Sequence, residues 1–261
     1  MSLRLHNSLS DKKEDFVPLR EGRVTLYVCG PTVYNDSHLG HAKTYVSFDV
    51  ILRYLKYRGF STFYVQNITD VGHLMGDADE GEDKMLKRAR ELELEPMAVA
   101  ETYTTRHFQA MDRMGVIRPD ICPRATGHIP EQLEAIEKMI EAGLAYEVNG
   151  SVYFDVSKDP EYGKLSNRSF EEMQEGARVE VRQEKRNPQD FALWKKAEAG
   201  HLMRWRDSYS GWGYPGWHTE CAVMSTRYLG DSFDIHGGGM ELKFPPVSYT
   251  HLRAHETYDH L

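Results

Sequence analysis

The stretch from Arg23 to Ile68 limits the possible folds more than any other part of the chain. Arg23 to Gly30 (RVTLYVCG) is apolar and β-branched and ends in glycine, the pattern of a buried strand running into a loop. After the loop PTVYNDSHLGH, Ala42 to Arg58 sets Tyr45, Phe48, Ile51, Leu52 and Leu55 on one helical face, with Gly59 as C-terminal cap. Ser61 to Ile68 reads as a second apolar strand. Strand, loop, helix, strand is a βαβ unit, which predicts a right-handed crossover and a parallel sheet. Ligands of such sheets sit beyond the carboxyl ends of the strands, so the residues that follow each strand are the first candidates for chemistry.

Further along, Glu82 to Glu93 and Met97 to Met114 predict helices separated by Pro96, preceded by the acidic loop GDADEGED. From about Pro119 the texture changes. A short helix near Glu131 to Glu141 precedes AYEVNGSVYFDV, where Asn149-Gly150 between alternating strands is a strong hairpin signal. The polar stretch Ser157 to Asn187 continues this antiparallel module, and apolar character returns with DFALW, GWGYPGWHTEC and FDIHGGGMEL. The expectation is a parallel α/β domain interrupted by an α+β insertion.

A chain of 261 residues with 40% hydrophobic and 28% charged residues can bury a substantial core. No apolar run approaches the ~20 residues of a membrane span. The start, MSLRLHNSLSDKKEDF, lacks the apolar core of a secretory signal, which predicts a reducing, cytoplasmic setting. Three widely spaced cysteines make no disulfide framework there and read as thiols or metal ligands. The net charge of -8 argues against a surface-wide basic footprint for nucleic acid, though not against a local patch.

Three clusters carry chemistry. His38-Leu39-Gly40-His41 lies where a strand-ending loop enters a helix, and helix amino termini attract phosphate. Two histidines three apart share a helical face, and Gly40 removes a side chain that would block a nucleotide, so donation to phosphate oxygens is one reading and an ordinary surface pair the other. His236-Gly237-Gly238-Gly239 follows an apolar strand; successive glycines allow backbone to approach a flat ligand, or form a mobile turn. Neither GxGxxG nor GxxxxGK[ST] occurs, which disfavours a dinucleotide fold or a P-loop. Cys29, at a strand's carboxyl end, and Cys221 in GWHTEC would be half of a tetrahedral zinc site if the fold joined them; two buried inert thiols is the other reading. Cys122 has no such company and reads as structural.

With these residues in place, CGPTVYNDSHLGHAKTYVSFDVILRYLKYRG resembles the amino-terminal motif of cysteinyl-tRNA synthetases, His38 to His41 standing as the class I "HIGH" element. NITDV from Asn67, EKRNPQDFALWK from Glu184, GWHTEC from Gly216 and FDIHGGGMELKFP ending at Pro245 match in the same order, so the similarity covers nearly all of residues 3 to 245. It implies a Rossmann-like, HIGH-type nucleotidyl transferase fold. Residues 1–117 and 206–245 would be its two halves, 118–205 the connective insertion, and 246–261 a tail outside the pattern.

The implied activity is cysteine–tRNA ligation: L-cysteine and Mg-ATP give cysteinyl-AMP, and the cysteine passes to tRNA(Cys). The resemblance makes His38 and His41 catalytic. Gly30, Thr32, Thr69, Trp217 and His236 match the cysteine pocket, Thr44, Asn67, Gly239 and Glu241 match positions near the adenylate, and Pro31, Gly40 and Gly238 are further substrate- or ATP-binding positions. Cys29 and Cys221 match two zinc ligands, while the family's other two positions, a histidine and a glutamate, hold Pro246 and Thr250 here. A monomer without membrane association is expected. The tail PVSYTHLRAHETYDHL resembles a non-native extension. No KMSKS element or anticodon-reading helices occur in the sequence, which predicts an incomplete, poorly active chain. Readings set beside this one are a mycothiol-type ligase passing cysteine to an amino sugar, disfavoured by CGPTVY, and a non-catalytic pseudoenzyme.

Overall fold

The computed structural model describes residues 3–74, 83–160, 162–163, 165 and 185–239. The chain opens with an exposed antiparallel pair, β1 (Arg4–Asn7) and β2 (Lys12–Asp15). It then enters β3 (Arg23–Val28), α1 (Leu39–Tyr57) and β4 (Ser61–Gln66), the expected βαβ unit, with β3 and β4 parallel from Arg23↔Ser61 to Val28↔Gln66. Helices α2 (Lys84–Leu92) and α3 (Pro96–Arg113) pack on each other. The residues after α3 return to the sheet: Gln66 N donates to Ile121 O, Ile68 N to Pro123 O and Ala125 N to Ile68 O.

α4 (Ile129–Glu141) leads to the hairpin β5 (Ala145–Val148) and β6 (Ser151–Phe154), which continues through β7 (Phe191–Lys196) and β8 (Gly213–Pro215) as a four-stranded antiparallel sheet. The antiparallel ladder thus runs to Pro215. α5 (His218–Leu229) and β9 (Ile235–Gly237) close the described fold, β9 lying parallel to β3 to give the order β4-β3-β9. Asp234 fastens that edge, accepting from Thr25 N at 2.7 Å, Thr25 Oγ1 at 2.6 Å and Leu19 N at 2.6 Å.

Side chains alternate across β3 as a strand buried on both faces requires. Leu26 and Val28 pack with Tyr45 and Leu52 of α1, while Tyr27 packs on the other face with Val99 and Tyr103 of α3 and Met224 of α5. The antiparallel sheet has its own core of Ile136, Phe154, Phe191 and Trp194, which also receives Ala222 from α5. Glu241, the tail 246–261, Glu184 and all of the acidic loop except Asp83 lie outside the described residues. No helix among the described residues is long and apolar enough to cross a membrane.

Candidate active site

Two strand ends, one edge strand and two helix amino termini meet at the carboxyl side of the parallel sheet. The chain leaves β3 at Cys29 and Gly30, held by Cys29 N donating to Gly237 O at 2.8 Å and Gly30 N donating to Asn67 Oδ1 at 2.7 Å. A Cβ on Gly30 would fall 1.5 Å from Asn67 O, so only glycine fits this approach. Pro31 O accepts from Thr69 N, and Thr32 bridges to Thr69, extending the parallel pairing beyond the ends of the strands.

The turn that follows ends in a capping box. His38 is the N-cap of α1: its Nδ1 accepts from Gly40 N at 3.0 Å, and His41 Nδ1 accepts from His38 N at 3.2 Å. In the neutral rings both protons therefore sit on Nε2, so each histidine keeps a donor away from the helix. The ring centroids lie 4.1 Å apart. A Cβ on Gly40 would come within 2.8 Å of His38 Cε1, so this glycine is required by the cap itself. Thr44 Oγ1 donates to Gly40 O within the helix.

Sequence reasoning passed over His107 on α3, which supports this turn from below. Its Nδ1 contacts Ser37 Oγ at 2.8 Å and its ring meets Tyr45 edge-on at 5.3 Å. Burial, then the neighbouring His41 and Arg118, pulls the His107 pKa down to about 4, so it stays neutral beside the paired histidines.

Cys29 and Cys221 are brought together, their sulfurs 3.5 Å apart. Cys29 Sγ is also 3.6 Å from His236 Nε2, and the His236 ring sits edge-on to Tyr27 at 5.3 Å. The mutual hydrogen bond and burial push the Cys29 thiol well up, while the same bond holds Cys221 below its ordinary value. Cys122, by contrast, is pushed up to about 11 by burial, away from this pair. Two thiolates on a tetrahedral zinc ion at ~2.3 Å each would stand about 3.8 Å apart, so the observed pair fits half of such a site. Among the described residues, no three His, Cys, Asp or Glu side chains are grouped to hold a metal ion.

Asn67 and Thr69, expected at adenylate and cysteine respectively, are buried and joined in a chain of hydrogen bonds. Asn67 Nδ2 donates to Thr69 Oγ1 at 3.2 Å, and Thr69 Oγ1 donates to Glu220 Oε2 at 2.7 Å. Burial drives the Glu220 pKa well up. Its neighbour two residues back in α5's first turn, His218, packs on Phe191 of the antiparallel sheet at 4.6 Å. Trp217 stacks on His73 with centroids 4.9 Å apart, and His73 contacts Thr32 Oγ1 and Lys84 Nζ. His73, Lys84 and His107 joined the site without a sequence signal, because Thr32, Tyr34 and Ser37, which they meet, are remote in the chain; Glu220 lies inside the GWHTEC motif, but its contact with Thr69 is not legible there. Gly238 and Gly239 follow β9 at the sheet's edge and are half-buried.

The family model described as "tRNA synthetases class I (C) catalytic domain" matches residues 15–255. A cysteine–tRNA ligase of Chlorobaculum tepidum is 59% identical over 249 residues, covering 94% of this chain and 51% of that protein. Cysteine–tRNA ligases of Thermus thermophilus and Deinococcus radiodurans are 57% and 59% identical, with 51% and 49% of their lengths covered. The chain spans about half the length of the curated relatives it matches. Among solved structures, Mycobacterium tuberculosis methionyl-tRNA synthetase in complex with methionyl-adenylate shares the fold, with a TM-score of 0.59 at 11% identity, over 89% of this chain and 54% of that one.

Proposed function

We propose that this chain, which belongs to the family of class I (C) tRNA synthetase catalytic domains, is the part of a cysteine–tRNA ligase that activates L-cysteine with Mg-ATP and passes it to tRNA(Cys). The observation that carries the reading is the Cys29–Cys221 pair, 3.5 Å apart, at the end of the same strand that leads into the His38–His41 turn. A thiol-reading centre and a phosphate-reading helix terminus thereby share the carboxyl end of one central strand.

In the first step an oxygen of the cysteine carboxylate attacks the α-phosphorus of ATP, and the bond to pyrophosphate breaks. In the second, a hydroxyl of the terminal ribose attacks the acyl carbon and AMP leaves with the bonding electrons, the hydroxyl proton passing to its phosphate. No protein nucleophile is needed. His38 and His41 offer Nε2–H donors to negative charge on the phosphates beside the α1 terminus. Gly30, Pro31, Thr32, Thr69, Trp217 and His236 would form the amino-acid pocket, and Gly40, Thr44, Gly238, Gly239 and Glu241 the nucleotide side. Asn67 acts here through Gly30 and Thr69, the two groups its amide holds.

Cys29 and Cys221 would supply two of four zinc ligands. Zinc held there would supply a soft centre that favours a thiolate over a hydroxyl. The family's remaining ligand positions carry Pro246 and Thr250, and a proline cannot ligate, so the proposal extends to these two thiols and no further. A monomer working in the cytoplasm completes the reading.

The test is equilibrium binding of the non-hydrolysable sulfamoyl analogues of cysteinyl- and seryl-adenylate, with zinc content measured alongside. The cysteinyl analogue is expected to bind tighter by on the order of a hundredfold or more. Cys29→Ala should lower both the zinc content and that ratio. Equal binding of the two analogues would sink the reading.

A further inference from the structure

Three half-buried side chains, Thr32, His73 and Trp217, are joined through the His73 ring. Thr32 and Trp217 have their place in the cysteine reading; His73 has none. Its imidazole is held at one face and at both nitrogens. The face stacks on Trp217 at 4.9 Å with an interplanar angle of 18°, Nδ1 meets Thr32 Oγ1, and Nε2 meets Lys84 Nζ at 2.9 Å. The backbone holds the two partners together as well, because Lys84 N donates to His73 O at 3.0 Å and Leu74 bridges to Asp83. Lys84 is further held over the Tyr34 ring at 5.7 Å.

A lysine ammonium has three donors and no acceptor. Facing it, His73 Nε2 must present its lone pair, which places the imidazole proton on Nδ1. Nδ1–H then donates to Thr32 Oγ1, so the threonine's own proton points away from the ring. We propose that Lys84 and His73 are positioning residues that fix Thr32 as a hydroxyl donor toward an acceptor oxygen in the pocket, selecting a ligand carboxylate. Only the identity of that ligand rests on the cysteine reading above.

Without the lysine, the His73 proton moves to Nε2. Nδ1 would then accept from Thr32, and the hydroxyl would turn a lone pair toward a carboxylate.

The deciding measurement is a long-range imidazole proton–nitrogen correlation spectrum of the ligand-free, nitrogen-15-labelled chain at neutral pH, with His73→Gln to assign the signal. Wild type should show Nδ1 protonated and Nε2 bare. Lys84→Met should move the proton to Nε2, and Lys84→Arg, still a pure donor, should keep it on Nδ1. A wild-type ring protonated on Nε2 or on both nitrogens, or a Lys84→Met spectrum like wild type, overturns the proposal. In binding, Lys84→Met should weaken L-cysteine on the order of tenfold and leave cysteamine, which has no carboxylate, unchanged. Equal losses for both would reduce Lys84 to a structural part and also overturn it. Should wild type bind no L-cysteine, the functional reading fails while the spectrum still decides the couple.

Discussion

In the antiparallel sheet, buried Asp190 accepts from Tyr146 Oη at 2.7 Å, Val156 N at 3.1 Å and Asn187 N at 3.0 Å. At the carboxyl end of the parallel sheet, buried Glu220 accepts from Thr69 through one oxygen, and its Oε1 has no hydrogen-bond partner among the described residues. Buried polar groups are ordinarily satisfied, so these two carboxyls serve different ends. The Asp190 network is closed and holds loops to strands. The network at Glu220 is open and sits among Thr69, Cys221 and Asn67 at the carboxyl end of the parallel sheet. The antiparallel sheet is nonetheless tied to that site: Ala222 enters its core and His218 lies on Phe191, so it fixes the helix that presents Trp217 and Cys221.

The sharpest way to break this comparison is Trp194→Ala. Trp194 is fully buried in the antiparallel core. Its truncation should cost about 3–5 kcal/mol. Because α5 belongs to both cores, urea unfolding should remain a single transition when followed by probes in either sheet. Two separated transitions would show that the antiparallel sheet merely hangs on the α/β domain.

A smaller effect should appear in the parallel half alone. The His107 pKa falls from the ordinary 6.5 to about 4. Between those values the unfolded chain holds a proton that the folded chain does not, so stability rises with pH there. The contribution is complete above pH 6.5 and disappears as pH falls to about 4; two and a half pKa units make it at most about 3 kcal/mol. His107→Gln should flatten the pH dependence of stability in that window and leave its slope unchanged above about pH 7. An unaltered acid limb in the variant would mean that His107 is not buried neutral, and that the turn below His38 is more open than described.

How much of this was legible in the sequence follows from the range of each interaction. β3, α1, β4 and the Asn149-Gly150 hairpin are written in local periodicity and turn chemistry, and they formed where those patterns place them. α1 begins at Leu39, ahead of the expected Ala42, because His38 supplies a cap that the apolar pattern does not encode. The Cys29–Cys221 pair was legible through family resemblance alone; residue by residue the two thiols remained ambiguous. Thr32 with His73, Ser37 with His107, and Thr69 with Glu220 are separated by 41, 70 and 151 residues, and no local pattern announces contacts at that distance. The site is thus built largely from encounters that only the folded topology creates.

The mildest test returns to the antiparallel sheet, where the hairpin turn is purely local. Asn149 and Gly150 have φ of 53° and 85°, both left-handed, as a two-residue turn between strands of this twist requires. Asparagine tolerates that region and alanine does not, so Asn149→Ala should cost about 1 kcal/mol, whereas Asn149→Gly should be close to neutral. Gly150 is the less replaceable of the two, since a Cβ there would meet Ser210 Cβ at 2.8 Å. The turn lies at the end of the sheet remote in sequence from α5, so Asn149→Ala should lower thermal stability without changing the affinity for the cysteinyl-adenylate analogue. A change in affinity from this position would mean that strain in β5 and β6 passes through Phe191 to His218, and that the closed and open networks are coupled more tightly than their hydrogen bonds imply.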